Sequence, residues 1–249
     1  MKSKEDALNI DIVVPVYNEG ANIGKTLASI DKYAKNIKGV KFNIKIVYDF
    51  KEDNTLPAVR KIQKKLSLPV NFVKNPVRGV VNAIKTGLLT SNADYALVTM
   101  ADMSDDHAVL PAIMKLAAFK PDLICPSRYM KGGKLHGGPF FKQLFSRMAG
   151  VSAHMLFGIP THDITNSYKM YKIKTIKKLK IESEGGFEIG MEIAAKIFKS
   201  GGKIVELPTE WWDRTEGESR FRLMKWIPKY LKWYIYLLKR KHEDQNSKY

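Results

Sequence analysis

Cysteine is almost absent: Cys125 stands alone among 249 residues. No disulfide framework can form within the chain, and a cysteine-rich zinc site is excluded. Long hydrophobic runs are missing too. No window holds about 18 uninterrupted apolar residues, so no helix is expected to span a membrane. The opening MKSKEDALNI lacks the apolar stretch of a signal peptide. Negative charge is scarce, with 25 Asp+Glu against 42 Lys+Arg and a formal net charge of +17. Internal repeats and low-complexity linkers are absent. What remains is a globular composition, 45% hydrophobic, which rules out a mostly disordered chain.

A surplus of this size calls for a negative partner: nucleic acid, an anionic membrane surface or a phosphorylated substrate. Its distribution is uneven. Residues 169–180 (KMYKIKTIKKLK) carry six lysines and no acid, and residues 219–242 carry eight Lys+Arg and no acid. All four tryptophans, Trp211, Trp212, Trp226 and Trp233, follow residue 210. The C-terminal fifth is therefore basic and aromatic together. Nucleic-acid binding rests on charge alone, because no helix-turn-helix, RNP or zinc-finger pattern accompanies it.

The first half alternates short apolar runs with helical periodicity. Strands are expected at 10–16, 42–48, 70–73, 95–100 and 122–125, and helices at 22–33, 58–66, 80–89 and 109–119. Single helices between strands imply parallel pairing, with ligands held at the carboxyl ends of the strands. Three junctions then matter: 17–20, 48–53 and 101–106. In the second half, Gly132, Gly133, Gly137 and Gly138 read as a mobile loop. Residues 139–157 read as an amphipathic helix with Phe141, Leu144, Phe145, Met148 and Met155 as apolar members. A last strand is expected at 204–207, and an amphipathic segment from Phe221 onward. This is one catalytic domain, residues 1–219, with a basic, aromatic extension over 220–249.

The first strand runs into VPVYNEG without a GxGxxG turn, and there is no GxxxxGK[ST] phosphate loop. Tyr17 and Glu19 stand where a base or ribose is held, or where a helix start is capped. Asp49 can accept from a base N–H or ribose hydroxyl, or fix a turn; on spacing alone the turn is the better reading. The fourth strand releases three aspartates within MADMSDD. Hard oxygen ligands of this kind suit Mg²⁺ or Mn²⁺. Asp102 is the ligand candidate, whereas Asp105 and Asp106 divide between metal binding and helix capping. Arg128, Lys142, Arg147 and Arg214 can clamp phosphates. No Ser-His-Asp or Cys-His arrangement can be argued.

VPVYNEG, the aspartate after the second strand, ADMSDD, SRY (127–129), GGFEIGMEI (185–193) and DRTEGESRF together resemble the family 2 glycosyltransferases. The similarity is to their polyprenyl-phosphate branch, of the dolichol-phosphate mannosyltransferase kind, and runs from about residue 10 to about residue 233. It implies a GT-A fold: a mostly parallel sheet flanked by helices, followed by C-terminal amphipathic interfacial helices. It implies inverting transfer from a nucleotide sugar of the GDP-mannose or UDP-glucose type to a polyprenyl or dolichyl phosphate. Pro15, Tyr17, Glu19, Asp49 and Arg78 match nucleotide-holding positions. Asp102, helped by Asp105, matches the Mg²⁺ or Mn²⁺ site. Arg128, Lys142, Ser146 and Arg214 match residues around the phosphates, with catalysis placed on Asp102, Arg128 and Arg214.

Two departures accompany the match. The usual DDGS reads Tyr48-Asp49-Phe50-Lys51, and the usual DAD reads Met100-Ala101-Asp102. Lysines beside tryptophan and tyrosine in the C-terminal segment have an interfacial signature, with Trp226, Tyr230, Trp233 and Leu237 expected on one face. The implied location is cytoplasmic and peripheral on the cytosolic face of a membrane, directly or through a separate membrane-anchoring subunit. The alternatives are a GT-A transferase acting on a glycan or protein, and a non-catalytic nucleotide-binding homologue.

Overall fold

The computed structural model describes residues 7–213 and 223–238, with side chains in the second segment from residue 227. Strand β1 (Leu8–Val16) is buried from Ile10 to Val16, as a central strand covered on both faces must be. It is followed by α1 (Ile23–Ala34), β2 (Val40–Tyr48), α2 (Thr55–Ile62), β3 (Val70–Lys74), α3 (Val80–Leu89) and β4 (Tyr95–Val98). Next come α4 (Leu110–Ala117), β5 (Leu123–Ser127), β6 (Lys134–His136), α5 (Phe140–Phe157), β7 (Lys169–Lys172) and α6 (Ile173–Ile176). The described chain closes with α7 (Ile189–Lys199), β8 (Ile204–Pro208), β9 (Glu210–Trp212) and α8 (Leu223–Leu238).

The main sheet has seven strands in the order β3-β2-β1-β4-β7-β5-β8. All pairings are parallel except those of β7, which runs against both β4 and β5. The period of two along β1 divides the core. Val13 faces one side, with Ile84, Leu88, Ile193 and Trp233; Ile12 and Val14 face the other, with Leu27, Ile30, Leu56 and Ile113. Because β7 is reversed, the segment leading into it reaches the sheet edge where its neighbours end. Residues 163–167 thereby join the ends of β4 and β5.

Three expectations change. The glycine-rich stretch holds β6, which pairs in parallel with β9 as a small second sheet. The six-lysine run, counted in the basic surplus that calls for a negative partner, gives up one member to the core: Lys169 is fully buried and donates to the Ile164 and Asn166 carbonyls. Trp233 and Leu237 are buried against the domain core, so the side of α8 that carries them packs inward and not on a membrane. Among the described side chains of this helix, Leu231, Ile235 and Leu238 are exposed large apolar residues. Among the described residues no helix is long and apolar enough to cross a membrane.

Candidate active site

The turn after β1 is held by side chains from the next loop. Asn18 has φ +55°, in the left-handed region. Its N–H donates to both carboxylate oxygens of fully buried Asp53, each at 3.1 Å. Glu19 N donates to Thr55 Oγ1 at 2.8 Å, and Gly20 N donates to Asn54 Oδ1 at 2.9 Å. Tyr17 is thereby presented outward, 43% exposed, edge-on to Phe50 at 5.3 Å. The Arg78 guanidinium lies over the Phe50 ring at 5.5 Å, within cation–π range. Sequence reading missed Asp53, Asn54 and Thr55, because a polar loop residue that braces a neighbouring turn has no periodic signature.

Asp49 is buried and fully engaged. Asn75 Nδ2 donates to its Oδ1 at 2.7 Å, and Gly79 N to its Oδ2 at 2.9 Å. The turn-fixing role weighed from spacing is therefore present, and the turn it fixes carries Arg78.

After β4, Asp102 Oδ1 accepts from Ser104 Oγ at 2.6 Å and from Ser104 N at 3.2 Å. Met103, with φ +62°, turns the chain at that point. Asp105 lies deeper and accepts from Thr99 Oγ1 and Met100 N, both at 2.9 Å. Burial pushes its carboxyl up to about 7; the Asp102 charge adds to that push, against the Met100 N–H. Thr99 Oγ1 also meets His107 Nε2 at 3.1 Å, and His107 Nδ1 meets Ser29 Oγ at 3.0 Å. Burial drives the His107 imidazole down to about 4, so it is neutral at pH 7. Asp106 takes the capping role, accepting from Ala108 N at 2.9 Å. Among the described residues no group of three His, Cys, Asp or Glu comes together to hold a metal ion. Asp102 beside Asp105 still fits a hard cation that takes most of its ligands from a diphosphate and water.

Arg128, just past β5, is held by a residue that the sequence did not single out. Its Nε donates to Asp163 Oδ2 at 2.7 Å and its Nη2 to Asp163 Oδ1 at 2.8 Å, while its backbone N–H also donates to Oδ2. Burial opposes the charge of each partner, but the opposite charge outweighs it. The guanidinium is held above its ordinary value and the carboxyl below its own. Arg128 is thus a fixed cation on the cavity wall. Arg147 lies on the exposed side of α5, outside the cavity lining. Arg214 falls outside the described residues.

Helix α5 forms the opposite wall. Of its 18 residues only Gly150 and Ala153 are buried. A Cβ at Gly150 would meet the His162 carbonyl oxygen at 2.1 Å, so glycine permits this close approach. Lys142 and Ser146 face the cavity, and Ser146 is held by the Tyr129 hydroxyl. Phe140, Phe141, Met148, Met155 and Leu156 are all more than half exposed, an unusual density for one helix. Tyr234 Oη of α8 donates to Ser152 Oγ of α5 at 2.8 Å, tying the two helices. Below them the GGFEIGMEI stretch is braced by its own glutamates. Glu188 accepts from Gly185 N and Gly186 N, and buried Glu192 accepts from Glu182 N, Ser183 N and Lys196 Nζ.

One cavity of about 1140 Å³ joins these parts. Pro15, Tyr17, Glu19, Asp49, Arg78, Asp102, Asp105, Arg128, Lys142 and Ser146 all line it. Its other end is apolar, walled by Phe145, Met148, Phe187, Met191, Ile227 and Leu231.

Residues 11–180 match the family described as Glycosyl transferase family 2. The chain belongs to that family. It is 26% identical over 237 residues to the dolichol-phosphate mannosyltransferase of Pyrococcus furiosus, covering 88% of this chain and 64% of the relative. It therefore spans less than two thirds of that protein's length. It is 31% identical over 124 residues to the undecaprenyl-phosphate mannosyltransferase of Micrococcus luteus, covering 48% and 50% of the two chains. Among solved structures, glucosyl-3-phosphoglycerate synthase from Mycobacterium tuberculosis superposes with a TM-score of 0.65 at 16% identity, over 92% of this chain and 80% of that one. A mannosyltransferase from Pyrobaculum calidifontis, solved with GDP-Man and Mn²⁺, gives 0.61 at 16% identity, over 84% and 58%. These likenesses show the GT-A fold of a glycosyltransferase domain.

Proposed function

We propose that this glycosyltransferase moves a single hexose from a nucleotide sugar to a polyprenyl phosphate, with inversion, at a membrane surface. The observation that carries the reading is the continuity of the cavity. A polar end at Arg78 and Asp102 runs into an apolar end between α5, α7 and α8, beside an α5 face that no part of the described chain covers. A nucleoside diphosphate suits the first end and a prenyl chain the second.

In this reading Tyr17, Glu19 and the loop carrying Arg78 hold the nucleoside, with Pro15 and Asp49 shaping their floor. Asp102, with Asp105 behind it, would hold Mg²⁺ or Mn²⁺, which when bound would offset the negative charge of the leaving diphosphate. Arg128, Lys142 and Arg214 neutralise the donor and acceptor phosphates, which otherwise repel each other, and Ser146 offers a hydroxyl donor. The acceptor phosphate is ionised at neutral pH, so its oxygen needs no strong base. That oxygen forms a bond to the anomeric carbon as the bond to the diphosphate oxygen breaks, and the electron pair leaves with the nucleoside diphosphate. The exposed faces of α5 and α8 rest on the cytosolic leaflet, where the basic surplus is attracted to anionic lipid at about 1 kcal/mol per lysine or arginine near the surface. A separate membrane subunit would serve the same attachment.

The test is a donor screen with a short polyprenyl phosphate, scoring labelled glycolipid with Mn²⁺, Mg²⁺ or EDTA. Glycolipid from one nucleotide sugar, abolished by EDTA, is the expected result. Donor hydrolysis without glycolipid would move the acceptor away from lipid phosphate. Nucleotide binding with neither product would make this a non-catalytic homologue.

A further inference from the structure

Lysine is a point charge on a flexible stem, and something must aim it if it is to act at a defined place. The Lys142 ammonium lies over the Trp211 indole, 5.5 Å from the ring centroid. Trp211 is itself anchored on several sides. It pairs with Leu135 in the small sheet and bridges to Asp105, and Trp212 N donates to the Ser104 carbonyl at 3.0 Å. The indole also packs on the start of α5. A Cβ at Gly138, where φ is +93°, would meet its ring at 3.3 Å, and Gln143 Nε2 donates to the Gly137 and Gly138 carbonyls. The neighbouring acid, Glu210, is engaged by Lys134 and His136. The Trp211 backbone thus joins the small sheet to the turn bearing Asp105, while its ring lies under the Lys142 ammonium and against Gly138, just before α5.

We propose that Trp211 is a positioning residue that holds the Lys142 ammonium at the junction of the polar and apolar ends of the cavity. The proposal rests on the phosphate-transfer reading above. Held there, the cation meets the acceptor phosphate next to the donor diphosphate. The Trp211 backbone, bridged to Asp105, fixes where the indole stands relative to that turn.

A double-mutant cycle tests this, using farnesyl phosphate as acceptor and the donor found in the screen. Trp211→Leu is expected to lower kcat/KM for farnesyl phosphate roughly three- to tenfold, and Trp211→Phe, which keeps a ring face, by less than about threefold. In a Lys142→Ala background, Trp211→Leu should change the value by less than about twofold, because the cation it aims is gone. Equal losses in both backgrounds would overturn the proposal and leave the indole as packing alone. Calorimetric titration of the same variants with farnesyl phosphate reads the coupling without turnover. A wild type that binds farnesyl phosphate but makes no glycolipid would sink the transfer reading, while the binding cycle still decides the Trp211–Lys142 coupling.

Discussion

The two ends of the cavity are built by different means. At the end proposed for the donor, short loops are locked by buried carboxylates and amides: Asp53 under Asn18, Asp49 under Gly79 and Asp163 around Arg128. At the end proposed for the acceptor, two helices present side chains across a gap, and of the α5 residues only Gly150 and Ala153 are buried. The first construction fixes positions to within a hydrogen bond, as chemistry at a diphosphate requires. The second offers an apolar wall with few polar contacts, which suits a chain of repeating units with no unique atom to recognise.

Substitutions at the two ends should therefore fail differently. The largest effect is expected at Asp102→Ala, which should lower transfer by about 10²–10³-fold, matching wild type in EDTA, with little change in folding. Single-turnover rates with and without Mn²⁺ measure this. Asp163→Ala should act on stability first. It strands a buried guanidinium at a cost of about 3–5 kcal/mol, and Arg128→Met added to it should restore much of the loss. Urea denaturation of the two variants checks the pair. On the acceptor side, Met148→Asp should raise KM for a long-chain polyprenyl phosphate about tenfold or more, with nucleotide affinity unchanged. If nucleotide affinity falls equally, the two ends are not separable.

The smallest effect concerns the buried pair beside the metal aspartate. The folded Asp105 carboxyl is raised from 3.8 to about 7, so the stability it contributes is full below about pH 4 and lost as pH rises through 7. The folded His107 imidazole is lowered from 6.5 to about 4, so its contribution is full above pH 6.5 and lost as pH falls through 4. The two oppose each other across the same window. Asp105→Asn should expose a loss of stability on acidification, and His107→Gln a loss on alkalinisation, each on the order of 1–3 kcal/mol. Melting curves between pH 4 and 8 in EDTA would show both slopes, and parallel curves for wild type and variants would refute the opposition.

The donor end was also the more legible in sequence. The helix at 80–89 and the strand ends at Val16 and Tyr48 follow from apolar periodicity and from the places where it stops, whereas the strand expected at 122–125 runs on to Ser127. The fold class and the family followed from motifs at those ends. Harder to read were β7 and α7. The first is a four-residue strand within a lysine run, whose buried Lys169 looks like surface charge until its carbonyl partners are known. The second was hidden because Glu192, which reads as a solvent-facing residue, is buried and holds the preceding loop. Bracing residues such as Asp163 and Asp53 were illegible for a related reason. Their partners lie 35 residues away, and only the folded chain brings them together.

Strand β7 has one more consequence. By standing between β4 and β5 it acts as a spacer two strand widths across, about 9.6 Å, between the strand that leads to Asp102 and the strand that leads to Arg128. That gap is set by backbone pairing and not by any side chain. Substitution can change which groups face each other across the gap, but its breadth changes only in whole strands.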